Sequence, residues 1–190
     1  MISMTTHPYS KGKEKVLSGI SIAGRVKHDP KDFYETPVWA TEKLLEKETF
    51  GEEIWEPACG HCAISKVCEK RGYKVLSTDL ITERDFFFEP VRGLDIITNP
   101  PFNKAEEFVR QALRVGGKKV AMFLKLTFLE SESRYHLFQS TQLKAVYVFC
   151  KRVNLYLNGE KPPVNSGTIA FAWFVWDKEY IGEPVIRWLI

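Results

Sequence analysis

Twice in this sequence a short apolar run breaks into a tight turn and then resumes with helical spacing. That order restricts the chain to alternating strands and helices. The first instance is Glu53-Ile54-Trp55, a short buried strand that runs into Glu56-Pro57-Ala58-Cys59-Gly60-His61-Cys62, with a helix expected over 63–71. A small-residue turn between strand and helix lets the backbone approach a bound molecule closely. Nineteen residues after Gly60 comes Asp79, just past a second strand-like run, Tyr73 to Ser77. An acidic residue about 20 positions past the glycine turn is placed to accept hydrogen bonds from ribose hydroxyls. The second instance runs from Leu94 to Thr98, turns through Asn99-Pro100-Pro101-Phe102, and becomes helical near Lys104. A strand end that opens into a rigid loop is where open α/β sheets place their ligands.

The residue types in that second turn suit one chemistry. An exocyclic amine on a nucleobase is a poor nucleophile because its lone pair is delocalised into the ring. Two acceptors on its two N–H bonds draw the nitrogen toward a tetrahedral, nucleophilic geometry, and the Asn99 side-chain carbonyl and Pro100 backbone carbonyl are candidates for that role. Proline fixes φ and supplies no competing N–H. Phe102 offers a flat apolar face for a flipped base. Asn-Pro is also ordinary turn chemistry, so the surrounding segments decide between the two. In the next loop back, Asp85-Phe86 offers a carboxylate and a ring for an adenine's amino group and face. Upstream, Thr36 as N-cap and Pro37 as first helical residue predict a helix through Glu46.

Together these residues resemble the amino-methyltransferases that use S-adenosylmethionine, most closely the short DNA N6-adenine methyltransferases of phages and prophages. The matching segments are Asp32-Phe33-Tyr34-Glu35-Thr36-Pro37, Glu56 to Gly60, Ser77-Thr78-Asp79-Leu80, Asp95 to Phe102, Phe123 to Glu130 and Phe171 to Asp177, covering about residues 32 to 190. The resemblance implies a three-layer Rossmann-like class I methyltransferase fold of the α/β class. Its sheet is expected to be mostly parallel and seven-stranded, with a C-terminal antiparallel hairpin strand. It implies that Tyr34, Thr36, Glu56, Pro57, Ala58, Cys59, Gly60, Asp79, Leu80, Asp85, Phe86 and Asn99 hold S-adenosylmethionine. Asn99, Pro100, Pro101 and Phe102 then hold the target base as the catalytic loop. The implied reaction is methyl transfer to N6 of adenine in DNA, with the base flipped out and relaxed or very short sequence specificity. Asn-Pro-Pro-aromatic loops also serve enzymes acting on RNA base amines or on a protein glutamine amide, so those substrates remain alternatives. One position departs from the family, which usually carries a second glycine two residues after Gly60. Here Cys62 stands there, and its Cβ demands a different backbone angle or crowds the methionine end of the cofactor.

Other chemistries fit fewer residues. Cys59-Gly60-His61-Cys62 is a C-x-x-C at a helix start, the arrangement of thiol oxidoreductases, and Pro100 lies at a separation where such folds place a cis-proline. That reading leaves Asp79, Asn99 and the Tyr-x-Thr-Pro segment unused. Cys68 and Cys150 complete no four-ligand zinc spacing, so no metal site is expected and all four cysteines read as small buried residues. An NAD-binding fold would need three glycines at the first turn. Methylation at a ring carbon would need a nucleophilic cysteine, and no Pro-Cys pair exists. A non-catalytic binder that keeps the fold is the remaining alternative, resting on Cys62 alone.

With 190 residues, 44% hydrophobic and 13% aromatic, the chain has material for one substantial core. We expect a single catalytic domain over 31–190 without a separate target-recognition domain. Residues 1–30 carry Lys11, Lys13, Lys15, Arg25 and Lys27 against Glu14 and Asp29, which accounts for the whole net charge of +3. This predicts a mobile basic arm able to contact phosphates. Lys125, Arg134, Lys151, Arg152 and Lys161 are the further candidate contacts to duplex or single-stranded DNA. The absence of an apolar run of membrane-spanning length or a leader segment predicts no membrane partner and a bacterial cytoplasmic setting. Monomer and dimer are equally compatible with the sequence. Beyond the motifs, the pattern predicts a helix over 105–115 ended by Gly116-Gly117, and a strand over 119–126. A helix is expected over 131–139, then strands over 143–149 and 169–176, the last pairing back as a reversed edge strand.

Overall fold

The computed structural model describes residues 34–157, 160 and 168–190. The basic arm of residues 1–30, the start of the Asp32-to-Pro37 segment, Lys161 and most of the adjoining loop lie outside the described residues. The described chain runs β1 (Tyr34–Glu35), α1 (Val38–Leu45), β2 (Glu53–Glu56), α2 (Ala63–Lys70), β3 (Lys74–Ser77), β4 (Asp95–Thr98), α3 (Ala105–Val115), β5 (Lys119–Lys125), α4 (Tyr135–Ser140), β6 (Leu143–Phe149), β7 (Tyr156–Leu157), β8 (Phe171–Asp177) and β9 (Val185–Leu189). Single 3₁₀ turns precede α3 and α4, and the one before α4 takes residues 132–134, which were expected to be α-helical. No helix among the described residues is long and apolar enough to cross a membrane.

Seven strands form one sheet in the order β3-β2-β4-β5-β8-β6-β9, and β1 pairs with β7 in a separate two-stranded ribbon. β8 runs antiparallel to both neighbours, and the other pairings are parallel. The reversed strand is therefore present, but it is interior rather than at the edge. The edge belongs to β9, which the sequence pattern did not reveal. β4 and β8 are buried along their whole length and β5 almost so, as central strands covered on both faces must be.

Alternation along these strands sorts the core into two layers. Ile96, Val120, Met122, Leu124, Phe174 and Val146 face α3 and α4. Ile54, Ile97, Ala121, Phe123, Trp173 and Tyr147 face α1 and α2. α3 forms because Phe108, Val109, Ala112 and Val115 repeat at helical spacing, with Glu106 and Glu107 at its positive end and Arg114 at its negative end. It stops at Gly116, whose φ of −65° any residue could adopt. What requires glycine there is close approach: a Cβ on Gly116 would sit 2.6 Å from Ala112 O, and one on Gly117 2.6 Å from Gly93 O.

At the end of the sheet where β5 starts and β8 finishes, charges are buried and paired. Glu48 Oε2 accepts from Lys119 Nζ at 2.7 Å and Lys144 Nζ at 2.9 Å, and Oε1 accepts from the Tyr147 hydroxyl at 2.7 Å. Asp177 lies 3.8 Å from both ammonium groups. Burial pushes the Glu48 carboxyl upward, but hydrogen bonds from Lys119, Lys144 and Tyr147 outweigh it and hold the group below the ordinary carboxylate value. Removing one partner of such a buried cluster strands the others. Glu48→Ala is expected to lower the unfolding free energy by about 3–5 kcal/mol at neutral pH, read from urea unfolding. The deficit should shrink as pH falls below the normal carboxylate range, where the wild-type group is also protonated.

Candidate active site

The chain passes from β2 to β3 on one side, then crosses to β4 on the other. Their C-terminal ends frame a topological switch point, where open α/β sheets bind ligands. The turn after β2 is tied to the end of β3 by backbone hydrogen bonds, Cys59 N–H to Thr78 O at 3.1 Å and Thr78 N–H to Glu56 O at 3.0 Å. Asp79 completes the tie. Its Oδ2 accepts from Gly60 N–H at 2.8 Å and its Oδ1 from Ile81 N–H at 3.0 Å. An ionised carboxylate offers about four acceptor positions, so about two remain for a ligand. Leu80 and Ile81 are exposed immediately beside it, an apolar surface next to an acid.

The turn is left-handed at two residues, Gly60 with φ +49° and Cys62 with φ +62°. The position where the family carries glycine is thus one whose backbone favours glycine, and Cys62 holds it at a cost of roughly 1–2 kcal/mol. Pro57 is buried beneath the turn, and Ala58, Cys59 and Gly60 are half-buried along it. Glu56 is not a surface ligand. It is buried, and its Oε2 accepts from Ser65 N–H at 2.7 Å and from the Ser65 hydroxyl, which also meets Ser77 Oγ at 2.6 Å. Burial pushes the Glu56 carboxyl up to about 8, against the opposing pull of the Ser65 hydrogen bonds. Its role is to pin the first turn of α2 to β2 and β3. Nothing in the local sequence pairs Glu56 with Ser65.

The β1 segment closes the site. Asn99 Nδ2 donates to Tyr34 O at 2.7 Å, and Glu35 Oε1 lies 3.0 Å from His61 Nδ1. Because Nδ2 is committed to a carbonyl, Asn99 Oδ1 is the free acceptor. Thr36 does not cap α1 as the sequence suggested. Pro37 takes the N-cap position, with no side-chain capping bond, and the helix begins at Val38. Pro37 has extended ψ and ends the β1 segment, which leaves the Thr36 hydroxyl turned into the protein. Among the described residues four buried side-chain oxygens lack a partner, and three of them are Thr36 Oγ1, Thr98 Oγ1 and Asn99 Oδ1. Buried polar atoms are almost always satisfied, so three orphans in two adjoining segments mark a place shaped for a polar ligand.

Pro100 is buried, Pro101 exposed and Phe102 half-buried. The Phe102 ring lies 6.0 Å from Tyr34 and 5.5 Å from Phe171, with Lys125 Nζ 4.9 Å from its centroid. A cavity of about 140 Å³ opens beside it, lined by Ala105, Leu124, Lys125, Thr127 and Phe128, and a wider cleft of about 450 Å³ adjoins toward Lys104, Glu106 and Arg110. Phe171 and Phe128 were missed from sequence, since they reach Phe102 only through the tertiary fold.

Two further sequence expectations change. Phe86 is only 2% exposed, its ring edge-on to Trp55 at 5.1 Å and 4.9 Å from Phe108, so it belongs to the core and offers no face to a ligand. Phe88 is the exposed ring of that run, and Asp85 Oδ1 accepts from Phe87 N–H at 3.0 Å. Arg134 is spent on backbone carbonyls, donating to Phe128 O at 2.7 Å and Glu130 O at 3.0 Å while lying over the Phe128 ring. It staples the turn that walls the cavity. The dithiol reading also fails. Burial, the Cys62 thiol and the nearby Glu56 and Asp79 charges push Cys59 up to about 12, the reverse of an activated thiol. Lys151 and Arg152 are exposed, with Lys151 Nζ 5.4 Å from the Trp39 ring centroid.

Two outcomes follow from the turn. The native Glu56 carboxyl keeps its proton to about pH 8, whereas an unfolded one loses it near 4.5. Stability therefore falls as pH rises through that window, and Glu56→Gln is expected to flatten the decline when melting temperatures are compared at several pH values. Cys62→Gly should raise stability by about 1 kcal/mol in urea unfolding by relieving the left-handed backbone.

No protein-family model and no curated protein matches the chain. Solved structures do. A candidate RNA methyltransferase, PH1948 from Pyrococcus horikoshii, superimposes with a TM-score of 0.51 at 14% identity, over 74% of this chain and 80% of that one. The modification subunit of a candidate type I restriction enzyme from Vibrio vulnificus gives 0.57 at 14% identity, over 82% of this chain but only 47% of that one. The element order, the interior antiparallel β8 and these superpositions show that the chain has the Rossmann-like methyltransferase fold.

Proposed function

We propose that this protein is an S-adenosylmethionine-dependent methyltransferase acting on an exocyclic base amine, with N6 of adenine in DNA as its target. The observation that carries this reading is Asn99 Oδ1, a buried acceptor with no partner, oriented by the bond from its own Nδ2 to Tyr34 O. Such an atom costs stability unless a ligand N–H meets it. The residues of the switch point fit the methyl donor. Asp79 has acceptor positions for ribose hydroxyls, Leu80 and Ile81 present an apolar face for an adenine ring, and the Thr36 hydroxyl stands unpaired just after β1. S-adenosylmethionine supplies a methyl group on a sulfonium, which needs no activation.

The chain's own contribution is position and acceptors. Asn99 Oδ1 and the Pro100 carbonyl accept hydrogen bonds from the two amine N–H groups and stabilise charge developing on nitrogen, and the methylated nitrogen then releases one proton to solvent. Alignment of amine and methyl accounts for roughly 7–11 kcal/mol of barrier reduction in reactions of this type. Phe102 stacks the flipped base, offsetting part of an unstacking cost of a few kcal/mol, and the cavity beside it gives the base room. Lys125, whose ammonium lies over the Phe102 ring, supports this reading as a cation for the phosphate of the flipped nucleotide. Lys151 and Arg152 extend the basic surface, joined in this reading by Lys161 and the basic arm, which lie outside the described residues. The Tyr-x-Thr-Pro segment and the strand at Phe171 to Asp177 favour DNA adenine by resemblance, and an RNA base amine is the second reading.

The test is transfer of labelled methyl from S-adenosylmethionine to unmethylated duplex DNA, single-stranded DNA and RNA, with product nucleosides identified by mass spectrometry. N6-methyladenine in DNA is expected, reduced about 10²–10³-fold in Asn99→Ala. Product in RNA alone would replace the DNA assignment. Wild-type turnover by Asn99→Ala would sink the mechanism.

A further inference from the structure

Among the described residues β9 ends the sheet with an open edge, and one of its faces is apolar and uncovered. In the parallel register with β6, Ile186 and Trp188 stand beside Val146 and Val148, on the face that α3 and α4 cover elsewhere. Leu137 of α4 shares a core layer with Val146, and neither Ile186 nor Trp188 belongs to that layer. Ile186 is consequently 55% exposed, Trp188 64% and Ile190, which continues the alternation, 89%. Val185 and Leu189 turn the other way into the second core layer. The run Val185-Ile186-Arg187-Trp188-Leu189-Ile190 has high strand propensity, a single charge and no proline or glycine. An exposed edge of this kind lacks the charges and prolines that normally keep sheets from pairing.

We propose that β9 pairs antiparallel with β9 of a second copy of this chain, with Trp188 on the two-fold axis. The register follows from the side chains. Pairing must keep the apolar stripe on one face, so an odd-residue slip is excluded. Centring on Arg187 would set two guanidinium groups directly opposite each other, which is unfavourable. Centring on Ile186 would place Trp188 against Pro184, which has no N–H for the ladder. Centring on Trp188 sets the two indoles together, each Ile186 against Ile190 of the second copy, and each Arg187 against a leucine. The stripe and the strand edge offer roughly 500 Å² per copy, about 1,000 Å² in the pair, which is near the lower bound of specific interfaces. The dimer is therefore weak, with a dissociation constant on the order of micromolar. It does not depend on the methyltransferase reading.

Sedimentation of the full chain between about 1 and 200 µM should show reversible dimerisation in the micromolar range. Trp188→Lys, at an exposed position, should weaken it at least about 30-fold with circular dichroism and melting temperature retained. Directly opposed antiparallel residues lie about 4.5–5.5 Å apart between Cα atoms, within disulfide range. In a Cys150→Ser background, Trp188→Cys should then crosslink to itself under copper-phenanthroline oxidation and Arg187→Cys should not. A monomer throughout the range, a dimer indifferent to Trp188→Lys, or crosslinking by Arg187→Cys in preference would overturn the proposal. So would a monomer whose Trp188 fluorescence is shielded from quencher, since another segment of the chain would then cover the stripe.

Discussion

β4, β5 and β8 have almost no surface open to water, and a strand in that position must be covered by other elements on both faces. Covering both faces of parallel strands requires helical crossovers, and those bring the C-terminal ends of β2, β3, β4 and β5 to one edge of the sheet. The strand ends at Glu56 and Lys125 and the loops carrying Asp79 and Asn99 meet there for that reason and share no local sequence cause. β8, running the other way, delivers Asp177 to the opposite edge and helps to bury Lys119 and Lys144 around Glu48.

The two edges treat buried polar groups differently. Around Glu48 both carboxylate oxygens and both ammonium groups have partners. At the other edge the Thr36, Thr98 and Asn99 oxygens are buried and unmatched, Glu56 is held near neutrality by burial, and Cys62 occupies a left-handed backbone. Unmatched acceptors and strained backbone in an otherwise consistent fold are the usual mark of a site built for a ligand rather than for stability. The Asn99–Tyr34 bond links this edge to the β1–β7 ribbon, so the amide's direction depends on a segment 65 residues away in sequence.

Much of this architecture was legible from local signals. The strand runs at Glu53, Leu94, Lys119 and Leu143 needed only apolar continuity, and each falls within about a residue of its observed range. The link from Gly60 to Asp79 was legible from their spacing, and the glycine-like backbone at Cys62 from the resemblance, which implies a glycine there. The failures share a different cause. Three consecutive phenylalanines at 86–88 carry no periodicity, and only the packing of Trp55 and Phe108 selects Phe86 for the core. Arg134 read as a surface cation because its carbonyl partners form a turn that exists only once α4 is placed. β9 was hidden because it pairs in parallel with β6, from which β7 and β8 separate it in sequence, a contact that no local pattern encodes.

The account stands on the switch point being a cradle for S-adenosylmethionine, with Asp79 both pinning the turn and receiving the ribose. Calorimetric titration of the full chain with S-adenosylmethionine measures this most directly. One site per chain is predicted, with affinity reduced roughly tenfold or more in Asp79→Asn, as expected for loss of charge-assisted hydrogen bonds. A folded protein that takes up no S-adenosylmethionine, or one whose affinity is unchanged by Asp79→Asn, would contradict it.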